Sequence, residues 1–188
     1  MNWIVHIDHQ IFFFINRQLA NHFFDIIMPV IRNKLSWIPL YLLIFTFIVW
    51  KHPASWWKML LAILFTIALT DGISSHIIKP LFHRIRPCHA AGIAGHARLL
   101  LSHCSGGYSF TSSHAANHFG LALIFSLLLA KHSRWIWPAF LFWAALISFA
   151  QIYVGVHYPA DVAGGAITGI ACGFISWYFY QKYLIRNS

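Results

Sequence analysis

Apolar residues in this chain come in long runs broken by short polar punctuation, without the sustained two-residue alternation of a half-buried strand. Residues 35–50 form the first run, bracketed by Lys34 and Lys51 and carrying Trp37 and Trp50 where interfacial anchors belong. At about 1.5 Å per residue it is short for a hydrocarbon core of about 30 Å, so its ends are expected to extend into the flanks. Further runs follow at 56–79, 113–130, 135–155 and 159–180. In the last, Gly165, Gly169 and Gly173 recur every four residues, which strips one helix face of side chains and predicts close approach to a neighbouring helix. Residues 1–34 are apolar but interrupted by Asp8, His9, Arg17, His22 and Asp25, which suits one or two helices lying in the membrane interface; a sixth span is the alternative.

The expected fold is all-α: a polytopic membrane helix bundle of five or six transmembrane helices. One unit covers 1–188, with an interfacial helical segment over 1–34 and the bundle over 35–188. Composition agrees, since 59% hydrophobic and 9% charged residues, with a mean hydropathy of +0.65, exclude a soluble domain. Thirteen Lys and Arg against four acids, Asp8, Asp25, Asp71 and Asp161, give a formal charge of +9. In a membrane chain this excess reads as basic loops facing anionic lipid; with no nucleic-acid-binding motif present, no nucleic acid partner is expected. The N-terminus has neither a basic n-region nor an A-x-A cleavage site, so no removable signal peptide is expected. Asp71, inside the second run, is expensive unless it faces the bundle interior and has a partner.

The ends of the runs fix which segments share a membrane face. The end of the second, the start of the third, the end of the fourth and the start of the fifth fall together. The opposite face collects Lys51, Lys58, Lys131, Arg134, Lys182 and Arg186 in short loops or the tail, which makes it cytoplasmic by the positive-inside rule. The first face is therefore expected outside. It carries three clusters. KPLFHRIRP sets Lys79 and Arg86 seven residues apart, so both cations can point the same way on a helix; a snorkelling basic collar is the plainer reading. FTSSHAANH puts Thr111, Ser112 and Ser113 before an apolar helix with His114 beside them, either an ordinary N-cap or a phosphate-binding helix end with a proton donor. AQIYVGVHYPAD sets His157 four residues ahead of Asp161, with Pro159 opening a helix. An aspartate that fixes one imidazole nitrogen leaves the other free to attack an electrophile, although such a pair is more often a cap.

Three clusters in this order resemble the type 2 phosphatidic acid phosphatase family of membrane lipid phosphatases, which shares its catalytic core with the vanadium-dependent haloperoxidases. Lys79, Arg86 and Pro87 meet the first motif, Lys, six residues, Arg-Pro. The second is Pro-Ser-Gly-His, of which residues 111–114 keep Ser112 and His114, with Thr111 and Ser113 at the other two places. The third is Ser-Arg, five residues, His, three residues, Asp; His157 and Asp161 fit, while Ala150 and Gln151 replace the Ser and Arg. The motifs thus lie at 79–87, 111–114 and 150–161. The resemblance implies that His157 attacks phosphorus and becomes phosphorylated, that Asp161 orients it, and that His114 protonates the leaving oxygen. It further implies that Lys79, Arg86, Ser112 and backbone N–H groups near Ser113 hold the non-bridging oxygens. Gln151 for Arg removes a charge and a bidentate fork but leaves one amide donor. No metal and no cofactor is implied.

In the loop 87–110, Cys88 and Cys104 are the pair placed to oxidise, either to a disulfide worth about 3 kcal/mol or as two free thiols. A zinc site from His83, His89, His96 and His103 with these cysteines lacks compact ligand spacing. The expected function is an integral membrane phosphatase of the bacterial inner membrane, its site facing the periplasm or exterior, acting on a lipid phosphate held in the bilayer. Undecaprenyl diphosphate is the first choice, ahead of phosphatidylglycerophosphate, phosphatidic acid and lipid A phosphate. A non-catalytic lipid-phosphate-binding protein of the same fold is the alternative, motivated by Gln151.

Overall fold

The computed structural model describes residues 2–185; Arg186, counted above among the cytoplasmic-side cations, lies outside them. Every regular element among the described residues is helical. The chain opens with α1 (Asn2–Phe13), which widens into a π turn at Phe14–Gln18, and α2 (His22–Arg32). Asn21 caps α2 by accepting a hydrogen bond from the Phe24 N–H at 2.9 Å. Five segments are long and apolar enough to cross a membrane: Lys34–Lys51, Trp56–Phe82, Ser113–His132, Ile136–Tyr153 and Pro159–Ile185. They contain α3 (Ile38–Lys51), α4 (Trp56–Asp71), the short α5 (Lys79–Phe82), α6 (Ser113–Leu129), α7 (Ile136–Tyr153) and α8 (Pro159–Phe179). The five spans expected from the hydrophobic runs are all present, and α1 and α2 are not among them.

Helix α6 is the axis of the bundle, packed against α8, α7 and α4. The glycine face of α8 makes this possible. A Cβ on Gly169 would stand 2.2 Å from the Ala116 carbonyl oxygen, and one on Gly165 2.5 Å from that of Ser112, so only hydrogen at these positions lets the backbones meet. Farther along, Leu121, Ile124, Phe125, Trp143 and Ile147 join Ile44, Ile48 and Met59 in one apolar core. Outward-facing Leu42, Leu43, Leu61, Leu64, Ile167 and Phe174 stay exposed, as side chains that meet lipid should. At the end away from the motifs, Lys51 lies over Trp50 (3.8 Å) and Arg134 over Trp135 (5.4 Å), an aromatic and basic belt. Asp71 departs from expectation: it ends α4 exposed, and its carboxylate accepts only a long 3.4 Å hydrogen bond from Ser75 among the described residues. The helical stretch continues past it through Gly72–Ile78 to Phe82, so Asp71 lies within the second span on its exposed side, where its charge acts on Lys79.

The N-terminal segment is keyed into the motif-bearing end. Buried Asn16 donates to the carbonyls of Tyr153 (2.7 Å) and Arg98 (2.8 Å) and accepts from the Arg98 N–H (2.8 Å). Asp25 accepts from the Tyr153 hydroxyl (2.7 Å) and from Arg98 (2.5 Å). Leu99, Leu100 and Leu101 of the long loop pack on Met28, Tyr153 and Val154. The loop is closed by a disulfide between Cys88 and Cys104. His89 Nδ1 stands 3.6 Å from the Cys104 sulfur, but both thiols are spent in the bond.

Because the α6–α8 seam depends on missing side chains, Gly169→Val should destabilise the protein by about 1–3 kcal/mol or more. A thermal-unfolding midpoint in detergent measures this, with Gly72→Ala, whose added methyl meets nothing within 4 Å, as the silent control. Equal midpoints for the two variants would contradict the seam.

Candidate active site

The three motifs meet at one end of the bundle. After α7, Gly155 turns the chain at φ +90°, a conformation open to glycine; a side chain there would also strike the Arg98 carbonyl at 2.3 Å. His157 follows, 2% exposed, just before Pro159 starts α8. Its Nε2 accepts a 3.1 Å hydrogen bond from Arg86, and its Nδ1 lies 3.4 Å from the Asp161 carboxylate, a close polar contact outside hydrogen-bond alignment. Arg86 is otherwise held by the carbonyls of Val156 (3.2 Å) and Gly107 (3.3 Å). It has no carboxylate partner among the described residues, so its charge is available to an anion.

Asp161 is fully buried and fully used. Its carboxylate accepts from Arg84 (2.8 Å), from the Ser109 hydroxyl and from the Tyr158 N–H (2.8 Å), which closes a capping box at the start of α8. Its backbone carbonyl accepts from the Ser112 N–H and the Thr111 hydroxyl, both at 2.9 Å. The first turns of α6 and α8 are thereby locked together, close enough for the charge states of His114 and His157 to interact. The Ser112 hydroxyl serves as N-cap, accepting from the Ala115 N–H at 3.4 Å, while Ser113 shares a 2.9 Å hydrogen bond with Ser75. Ser112 is thus partly spent on structure. The remaining N–H groups of the first turn of α6 point out of the helix end, as in an anion site.

His114 is half-buried, with its ring stacked on that of His118 (centroids 6.4 Å apart), and the His118 ring contacts the His114 carbonyl at 2.7 Å. The charges of Lys79 and Arg32 both act on His114, and Lys79 also acts on His157. Gln151 is fully buried on α7; its amide oxygen accepts from Arg32 Nε at 3.4 Å. The candidate residues Lys79, Arg86, Ser112, Ser113, His114, Gln151, His157 and Asp161 therefore converge, whereas Cys88 and Cys104 close the loop outside.

Arg84, Asp8, Ser109 and Arg32 enter the site without having been singled out in the sequence. Arg84 bridges Asp161 and Asp8 and lies over the Tyr158 ring at 4.1 Å, while Asp8 also accepts from the Ala160 N–H at 2.7 Å. One signal could have found this pair: in a chain with four acids, a lone aspartate in an apolar N-terminal helix asks for a cation.

Two histidines and several cations gathered at one end of a helix bundle, with a buried aspartate beside them, form an arrangement suited to an anionic substrate held in a membrane. Comparison with known proteins names the family. The PAP2 superfamily model matches residues 56–185, and the chain belongs to that superfamily. It is 36% identical over 93% of its length to a lipid A 4'-phosphatase of Bacteroides thetaiotaomicron, covering 76% of that protein. It is 29% identical over its full length to a lipid A 4'-phosphatase of Porphyromonas gingivalis, covering 78% of that protein. The fold matches the crystal structure of a transmembrane PAP2 type phosphatidylglycerolphosphate phosphatase from Bacillus subtilis with a TM-score of 0.73. That match has 21% identity and covers 97% of this chain and 89% of the other.

Burial lowers the His157 imidazole from 6.5 to about 4; Asp161 opposes the shift, and the positive charges of Arg86 and Lys79 add to it. The folded state keeps the ring neutral while the unfolded chain protonates it near 6.5. Stability from this residue is therefore lost as pH falls from about 6.5 to about 4. Wild-type protein should lose more of its detergent unfolding temperature between pH 7 and pH 5 than His157→Asn; parallel losses would count against a neutral buried ring. Arg84→Met should strip the Asp161 carboxylate of its cation, a loss of about 3–5 kcal/mol by analogy with other buried pairs, visible as a lower midpoint together with lost turnover. An unchanged midpoint would refute that role.

Proposed function

We propose that this lipid phosphatase of the PAP2 superfamily removes the 4'-phosphate of lipid A through a phosphohistidine intermediate. The observation that carries the chemistry is the buried pairing of His157 Nε2 with the Arg86 guanidinium at 3.1 Å. The guanidinium sits against the imidazole nitrogen itself, so a phosphoryl group that displaces it from Nε2 would be attacked by the nitrogen and held by the displaced cation. His157 Nε2 forms a bond to phosphorus as the bond to the leaving oxygen breaks, and His114 gives that oxygen its proton. Water then attacks the phosphohistidine, returning a proton to His114 and releasing phosphate. Arg86, Lys79, Gln151 and the first-turn N–H groups of α6 balance the charge on the non-bridging oxygens. Asp161 keeps the other nitrogen of His157 protonated and oriented.

The lipid identity rests on the two relatives matched over nearly the whole chain, both lipid A 4'-phosphatases. Undecaprenyl diphosphate, the first expectation from sequence, gives way to lipid A phosphate, which stood lower among the expected substrates. Space for an acyl chain supports a lipid substrate. An apolar cavity of about 450 Å³ opens between α3, α4 and α6, bounded by Tyr41, Phe45, Ile63, Ile67 and Phe125. It ends at Asn117 and His118, one turn from His114. The basic belt at the opposite end of the bundle supports an inner-membrane protein with this site on the periplasmic face.

In detergent micelles containing equal lipid A and undecaprenyl diphosphate, purified protein should turn over lipid A at least about tenfold faster, about 1.4 kcal/mol in transition-state binding. Mass spectrometry should assign the lost phosphate to the 4' position, and turnover should survive EDTA. His157→Ala should trap no phosphoprotein. A tenfold preference for the diphosphate, or loss from the 1 position, would replace the substrate; phosphoprotein in His157→Ala would replace the nucleophile.

A further inference from the structure

Position 151 is where the third motif ordinarily carries arginine, and here Gln151 is wholly buried. Its side chain is only half satisfied. The amide oxygen faces Arg32, which can only donate, so the NH₂ group must face the other way, and there it has no partner among the described residues. A buried donor without an acceptor is costly unless a ligand supplies one. Beside it stands Arg32, largely withdrawn from solvent at the last turn of α2, with no carboxylate partner among the described residues. Its Nε lies 3.4 Å from Gln151 and its charge acts on both His114 and Arg86, although the residue lies outside the matched region 56–185.

The placement of α2 is firmly determined. Phe24 packs edge-on against Tyr153 and Phe149 of α7, Asp25 is tied to Tyr153 and Arg98, and the Trp37 indole donates to the Ile31 carbonyl at 2.7 Å. These contacts clamp both ends of the helix, and the partial negative charge of its C-terminus favours a cation there. Arg32 reaches Gln151 through Nε, which leaves the two terminal NH₂ groups of its guanidinium for another acceptor.

We infer that Arg32 is a phosphate-binding residue, the cation that α7 lacks at position 151 being supplied from α2, with Gln151 orienting it and donating its own N–H to the same phosphate. This inference rests on the phosphatase reading above. It would make the N-terminal segment part of the site.

Four purified variants test it: Arg32→Ala, Arg32→Lys, Gln151→Ala and the exchange Arg32→Gln/Gln151→Arg. Each is assayed for kcat/KM on lipid A, for inhibition by orthovanadate as a tetrahedral oxyanion, and for thermal midpoint. Arg32→Ala should lower kcat/KM by about 100-fold, the usual cost of one transition-state donor, and should weaken vanadate inhibition at least about tenfold. Its midpoint should stay near that of the wild type. Arg32→Lys should recover part of both, Gln151→Ala should lose less than Arg32→Ala, and the exchange should restore vanadate inhibition by returning a guanidinium to the pocket from α7. Vanadate inhibition within about threefold of wild type in Arg32→Ala would overturn the inference, as would a folded exchange variant no better than Arg32→Ala. The vanadate arm, read on any lipid phosphate the wild type hydrolyses, separates this outcome from an error in the lipid. Wild-type protein that hydrolyses no lipid phosphate would instead overturn the phosphatase reading, and this inference with it.

Discussion

A single buried carboxylate holds this structure's working end together. Asp161 is fully withdrawn from solvent, where an ionised acid is tolerated only if its lone pairs are engaged. Arg84, Ser109 and the Tyr158 N–H engage them, and the backbone carbonyl of the same residue takes Thr111 and Ser112. One residue therefore fixes the start of α8, the start of α6, the long loop and, through the Arg84–Asp8 bridge, α1. The relative placement of His114 and His157 follows from that junction. The glycine face of α8 contributes by letting the two helices approach until the junction can form.

The cations at this end divide into two kinds. Arg84 and Arg98 are paired with Asp161, Asp8 and Asp25 and serve to join elements. Arg86 and Arg32 have only neutral acceptors among the described residues. The charge of Asp161 also acts on Arg86, while Arg32 and Arg86 repel each other, an interaction that burial strengthens. On the reading proposed above, a bound phosphate would relieve that repulsion, and the same groups would stabilise the added charge of the transition state.

The N-terminal segment, outside the family-matched region, is a structural part of the site. Asn16 joins the loop to α7, Asp8 secures Arg84 and the first turn of α8, and Arg32 reaches Gln151. Departures from the usual third motif are easier to understand in this setting, because a lost side chain on one helix can be offset by another brought in from a separate helix.

Sequence by itself determined the class of fold and which candidate residues share one face. Five apolar runs long enough to span a bilayer can satisfy their backbone polar groups only as helices, and the shared ends of those helices put Lys79, Arg86, Ser112, His114, His157 and Asp161 on one face. The spacing of Gly165, Gly169 and Gly173 foretold the closest helix contact for an equally local reason, since four residues is about one helical turn. Tertiary structure alone decided the rest. Asp71 is exposed within the second span because the direction in which a helix position faces depends on the neighbours packed around it, which hydropathy does not report. Arg84 and Arg32 stand 77 and 119 residues from their partners Asp161 and Gln151, and no periodicity relates positions that far apart. Such pairings arise only when packing brings distant helices together and burial forces each polar group to find a partner.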